Sequence, residues 1–297
     1  MKHIKQTIKK ASTEFMFGHV TLDEKRIKNF KVKDLDKITA FFKPPTYLNS
    51  LFDTLPKKEV YKIIHAYNAI NASLQYSFFL GNSTIRFDEI DSFWVMGVLD
   101  DIFRDAKVKS TQDIYTLRDT INEKLIASNI TLLDTRITTV NEVFEKLDFV
   151  KYGNNYLNIK YSIKMLKKLV CFKKDIFFKK GLFAIMISNR MMPKLRENKR
   201  YKKELYSLPV PADYQIPKML RYFGLIKMSK ELAKIIDSNT PLLENSEMEL
   251  NIRAATIQAC KKIAKNNDIS VDDVDAYLFI LRKECKSKHH ICSTTNY

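Results

Sequence analysis

The stretch "KKEVYKIIHAYNAINASLQYSFFL", Lys57 to Leu80, decides the fold class. Val60, Ile63, Ile64, Tyr67, Ile70 and Leu74 recur at spacings of three and four, which is the repeat of a helix with one buried face. The same period continues outward. "TQDIYTLRDTINEKLIAS" (Thr111 to Ser128) predicts a helix capped by Thr111 with Asp113 in its first turn, and "RITTVNEVFEKLDFV" (Arg136 to Val150) repeats the pattern. "IKYSIKMLKKLVCFKKDIFFKKGLFAIMISNRMM" (Ile159 to Met192) predicts one or two further helices, broken near Lys173 to Asp175 or at Gly181. Strand signals are few: "DTRIT" (Asp134 to Thr138) and "YGNNYLNI" (Tyr152 to Ile159) suggest a short hairpin. There is no internal repeat and no Gly/Ser-rich linker. The expected architecture is mainly α, a single domain over residues 1–297 with few short strands, divisible into two lobes of about 1–150 and 151–297.

Composition narrows the function classes. Fifty-one Lys and Arg against thirty-four Asp and Glu give a net charge of +17, which favours phosphate-bearing partners by long-range attraction. The lysines are spread among Ile, Asn and Tyr rather than gathered in a stripe, so a polynucleotide-binding face is not the favoured reading. "RENKRYKKEL" (Arg196 to Leu205), the densest charge run, reads as a solvated helix end ahead of a phosphate patch. Four cysteines without a CxxC pair predict neither a disulfide framework nor a zinc site, and place the chain in a reducing, cytoplasmic compartment. The N-terminus lacks the apolar run of a secretory signal, and "GLFAIMIS" is far shorter than the ~20 residues of a membrane span. No nucleotide-cradling glycine motif, HExxH pair or nucleophile elbow occurs, so neither cofactor nor metal is expected.

The segment "PVPADYQIPKMLRYFGLIKMS" (Pro209 to Ser229) concentrates three of the eight prolines around one carboxylate, Asp213. Pro209 and Pro211 hold the approach extended. Asp213 then stands where a helix cap belongs, and Pro217 falls in the first turn, where a missing N–H costs little. Gly224 permits a left-handed helix end, and Ser229 can cap "KELAKIID". Two roles for Asp213 follow: a cap for its own helix, or a carboxylate fixed at a rigid helix mouth to stabilise positive charge in a substrate. Spacing does not choose between them.

These residues carry a resemblance. "ADYQIPKMLRYFGLIKMS" resembles the Asp-Tyr-x-[Ile/Val]-Pro signature of the queuosine salvage family, the queuosine 5′-phosphate N-glycosidases. "MELNIRAATIQACKKI", with Glu249, Ile252, Arg253, Ala254 and Thr256, is similar to its Glu-x-x-Ile-Arg-Ala-x-Thr-Ile helix. "DAYLFILRKECKSKHHICSTTNY" is similar to its Asp-x-x-Leu-Trp segment, its His-His and its tyrosine-terminated tail, through Asp275, Leu278, His289, His290 and Tyr297. Phe279 stands where the family has Trp. The resemblance implies an all-helical scaffold similar to the helix-hairpin-helix DNA glycosylases. It implies metal-independent hydrolysis of the N-glycosidic bond of queuosine 5′-phosphate, or a related 7-deazaguanine nucleotide, releasing queuine for tRNA modification.

On that reading Asp213 is the catalytic carboxylate and Asp275 accepts hydrogen bonds from the base, its alternative being a helix cap. Tyr214 and Phe79 wall the base, and His290 faces the phosphate. Tyr297 belongs to a docked tail, and Arg86 and Lys227 are phosphate ligands. Arg253, four residues after Glu249, is expected to form a plain ion pair with it. The partner is a small modified nucleotide, with no membrane; the oligomeric state is unspecified. The alternatives are a nucleic-acid-binding or DNA-glycosylase-like protein, and a non-catalytic relative of the family.

Overall fold

The periodic segment beginning at Lys57 forms a helix from Lys57 to Leu74, but it is buried on every side from Ile63 onward rather than along one face. The residues between its large apolar positions explain this: Ala66, Asn68, Ala69, Asn71, Ala72 and Ser73 are small or can bond locally, so neighbours approach from all directions. Ser73 Oγ donates to Ile70 O at 2.7 Å, and His65 Nε2 meets Ser162 Oγ at 2.9 Å. In the computed structural model, residues 2–34, 36, 41–76, 78, 92–128 and 130–296 are described, with side chains from residue 6.

Among the described residues are sixteen α-helices and one two-stranded sheet, so the chain is mainly α. Helix Lys179–Met191 packs along Lys57–Leu74 as the second central element. Helices Leu133–Lys146, Phe149–Asn154 and Ile159–Leu166 lie around this pair. Helices Gln215–Tyr222, Glu247–Asn267 and Val271–Leu281 pack on one another in the C-terminal part. One continuous apolar cluster runs from Ile8 to Cys285 through both halves of the chain, as in a single domain. No helix among the described residues is long and apolar enough to cross a membrane.

The hairpin expected at 134–138 and 152–159 is replaced by helices. Arg136, Thr139, Val140 and Val143 fall on one buried helical face, and packing of that face overrides the β preference of the threonines. Asn158 ends the other segment by capping Ile159–Leu166, its Oδ1 accepting from Tyr161 N at 3.1 Å. The sheet lies elsewhere: Val20–Leu22 runs antiparallel to Ile226–Met228, with Thr21 opposite Lys227. The cap expected at Thr111 is supplied by Ser110, whose Oγ accepts from Asp113 N at 3.3 Å while Asp113 Oδ2 accepts from Ser110 N at 2.8 Å.

The long apolar segment from Ile159 holds three helices, with interruptions after Leu166 and after Lys173. Gly181 is not a breaker. It sits inside helix Lys179–Met191, where an added Cβ would lie 2.2 Å from the Phe178 ring folded across the helix start. The charge run after Arg196 also does more than face water. Arg196 pairs with Asp273 (2.7 Å) and Asp272 (3.0 Å), and Asn198 caps the helix Lys199–Leu205.

Candidate functional site

The proline-rich segment folds as its residues require. Asp213 precedes helix Gln215–Tyr222, and its Oδ1 accepts from Gln215 N (2.9 Å) and Ile216 N (3.3 Å). Pro217 falls in the first turn of that helix. Gly224 ends the turn with φ +65°, and Ser229 Oγ accepts from Leu232 N at 3.2 Å to start the next helix. Capping therefore occupies one oxygen of Asp213. No described residue donates to the other, Oδ2, and Asp213 lines a cavity.

That cavity has a volume of about 130 Å³. Asp213, Tyr214 and Asp275 all border it, together with the aromatic rings of Phe93 and Phe279 and the buried cations Lys179 and Arg190. Asp275 is not a cap. Its helix begins at Val271 behind a reciprocal box in which Ser270 Oγ accepts from Asp273 N (3.1 Å) and Asp273 Oδ2 accepts from Ser270 N (3.0 Å). This puts Asp275 in the second turn, where Arg190 Nη2 donates to its Oδ2. Arg190 Nε also donates to Asp272 Oδ1 at 2.7 Å. No described residue donates to Asp275 Oδ1. Burial pushes the Asp275 carboxyl up to about 6; Arg190 opposes that shift, and the negative charge of Asp213 adds to it.

Lys179 and Arg190 were absent from the candidates drawn from sequence, and so was the part Arg253 plays. Lys179 Nζ donates to Gln75 O at 3.2 Å and lies 5.2 Å from the Phe183 ring centre. Burial holds its ammonium below the usual lysine range, an effect that Asp213 and then Asp275 partly offset. The signal for it was present: "FFKKGLF" sets two lysines inside an apolar run, where a cation requires a partner.

Arg253 does pair with Glu249 (3.4 Å), but its stronger contacts lie elsewhere. Its Nη2 donates to both oxygens of Asp175 (2.8 and 2.7 Å), and its Nε donates to Ala212 O at 3.2 Å. Asp175 in turn accepts from Phe177 N (3.0 Å) and Lys179 N (2.7 Å). One buried guanidinium thus ties the residue before Asp213 to the start of the helix that carries Lys179.

The two histidines divide differently from the expectation. His289 is the one beside the cavity wall, its ring 4.7 Å from that of Tyr214. Its Nδ1 lies 2.8 Å from His290 O; a carbonyl only accepts, so Nδ1 carries the proton. His290 is 2% exposed and does not border the cavity, and burial pushes it down to about 3, leaving it neutral near pH 7. A neutral, enclosed imidazole supplies no cation to a phosphate. Lys227 is in the sheet, paired with Asp23 at 3.0 Å. Phe79, Arg86 and Tyr297 lie outside the described residues.

The site therefore offers one half-buried carboxylate anchored by backbone amides, one deeply buried carboxylate anchored by an arginine, and a buried ammonium, all around an apolar hollow. Such a hollow has aromatic walls that can take a flat ring and fixed charges that can meet its edges.

Two comparisons bear on its chemistry. The chain is similar to a queuosine 5′-phosphate N-glycosylase/hydrolase of Schizosaccharomyces pombe, with 30% identity over 94 residues, covering 31% of this chain and 27% of that protein. The chain thus spans about a quarter of the length of the curated relative it matches. Lys179 and Gln75 lie outside the segment that the family comparison covers. Residues 185–296, which supply Arg190, Asp213, Tyr214 and Asp275 to the cavity wall, match the family of queuosine salvage proteins.

Proposed function

We propose that this protein hydrolyses the N-glycosidic bond of queuosine 5′-phosphate, or of a related 7-deazaguanine nucleotide, releasing the base for salvage. The observation that carries the reading is the convergence of Asp213 and Asp275 on one cavity, within the segment matched by the family. Breaking the bond between C1′ and the base leaves positive charge on the ribose, as in other oxocarbenium-like displacements. Asp213 Oδ2 stabilises that charge and orients the attacking water. The water's hydroxyl goes to C1′ and its proton ends on the departing base. Asp275 Oδ1 accepts from the N–H donors on the base edge, while Arg190 holds the other oxygen in place. Tyr214 and Phe279 wall the ring.

The volume of the cavity sets how the substrate must lie. An engineered cavity of ~150 Å³ takes one benzene ring, so about 130 Å³ holds part of the base alone. The ribose phosphate then extends toward the exposed Lys43 and the half-buried Arg282, which also line the cavity. A hollow of this size favours a mononucleotide over a polynucleotide backbone. These charges come from side chains, so the proposed hydrolysis needs no metal.

The test is direct: incubate the pure protein with queuosine 5′-phosphate and measure free queuine. Release is expected. Binding of the nucleotide without release would sink the enzymatic reading in favour of a non-catalytic relative.

A further inference from the structure

A second cavity, of about 410 Å³, lies between the N-terminal helix Lys2–Glu14, the loop Tyr206 to Pro209 and the helix Glu247–Asn267. Leu208, Ile257, Ala264 and Val271 line it with buried apolar surface. Among the described residues its charged members are all of one sign: Lys9, Lys261 and Lys265 border it and no carboxylate does. All three are exposed, and none forms an ion pair with a described residue. Lys261 and Lys265 stand at i, i+4, a like-charged spacing that disfavours a helix unless an anion lies between them.

A polar feature interrupts the apolar lining. Gln258, half-buried, uses Nε2 to donate to Ser12 Oγ (3.0 Å) and Ser12 O (3.2 Å), which leaves Oε1 as an acceptor with no donor among the described residues. Gln258, Lys261 and Lys265 share one helical face, so acceptor and cations lie side by side.

We propose that this cavity is a second binding site, for a nucleoside 5′-monophosphate. The volume lies within the ~300–1,000 Å³ of small-molecule sites. The lysines take the phosphate as point charges, the half-exposed Tyr206 and Pro209 offer flat apolar surface to the base, and Gln258 Oε1 accepts from an exocyclic amino group. An acyl chain with an anionic head would satisfy the lysines but leave Gln258 without a donor. The site is independent of the glycosidase reading, although its Tyr206 to Pro209 wall runs directly into Asp213.

Isothermal titration with AMP at ~150 mM salt, where surface charges are screened beyond ~8 Å, tests the proposal. The wild-type chain should bind AMP. The Lys261→Glu/Lys265→Glu double variant should bind it at least tenfold more weakly, and Tyr206→Ala should weaken binding several-fold. Lys43→Glu, in the lining of the other cavity, should leave it within twofold. The reverse pattern, with Lys43→Glu weakening AMP and the double variant unchanged, would overturn the proposal. So would inorganic phosphate binding as tightly as AMP, or single-stranded RNA competing while AMP alone does not bind. Absence of queuine release would leave these outcomes untouched, so the two readings fail separately.

Discussion

Asp213 carries two duties on two oxygens, and a single substitution separates them. Asn keeps an acceptor for the Gln215 and Ile216 amides but removes the negative charge. Asp213→Asn should therefore melt within a few degrees of the wild type while turnover falls by about two to three orders of magnitude, the loss expected when one well-placed electrostatic partner is removed. Equal turnover would show that the residue only caps its helix. Asp275 acts in its ionised form as an acceptor. With its carboxyl pushed up to about 6, activity should rise with pH through that region and level off above it. Asp275→Ala should flatten this acid limb and weaken discrimination among deazapurines, because the base edge loses its acceptor. An unchanged pH profile and unchanged selectivity would remove Asp275 from base recognition.

At the scale of elements, the site depends on two helix beginnings held at fixed separation. Arg253 makes the connection, joining Asp175 at the start of Lys179–Met191 to the carbonyl of Ala212 just before Gln215–Tyr222. Both side chains of the Arg253–Asp175 pair are almost wholly buried, at 0% and 2% exposure. Removing one partner strands the other charge in a low-dielectric interior. Arg253→Met should cost about 3–5 kcal/mol of unfolding free energy in a denaturant titration. A loss below ~1 kcal/mol would mean that Asp175 finds another donor and that the clamp is dispensable. The period of the sequence revealed these helices well, and the turn residues Pro217, Gly224 and Ser229 fell where their backbone preferences required. The interruptions were harder to read. Gly181 looked like a breaker, yet it is a contact for the Phe178 ring, and only the folded chain brings that ring to it.

For the whole molecule, burial of ionisable groups sets the response to acid. His65 and His290 are enclosed and pushed down to about 3, so from the ordinary histidine value of 6.5 downward the unfolded chain takes up protons that the native chain does not. Each contributes a loss of roughly 1.4 kcal/mol per pH unit below that value. Asp275 works in the opposite direction: raised from 3.8 to about 6, it binds its proton more tightly in the native state, and stability falls as pH rises through that interval. Two histidines outweigh one carboxylate. The melting temperature should therefore rise steadily from about pH 4 to pH 6.5 and flatten above it, as read by calorimetry or circular dichroism. A flat profile over that range would show that the two imidazoles are hydrated in the native state.

The sequence by itself determined the helical class, the rigid entrance at Asp213 and the sign of the net charge, because these follow from local periodicity, backbone preferences and composition. Tertiary structure alone decided which charges share a cavity. Asp213 before helix Gln215–Tyr222, Asp275 on Val271–Leu281, and Lys179 and Arg190 at opposite ends of Lys179–Met191 come from three separate segments, and His289 rather than His290 faces Tyr214. It also turned a helix with one expected apolar face into one buried all round, and an expected ion pair into a clamp between two helix starts. The physical reason is common to all of these: burial and electrostatic pairing depend on distances between residues far apart in the chain, and no local pattern encodes those distances.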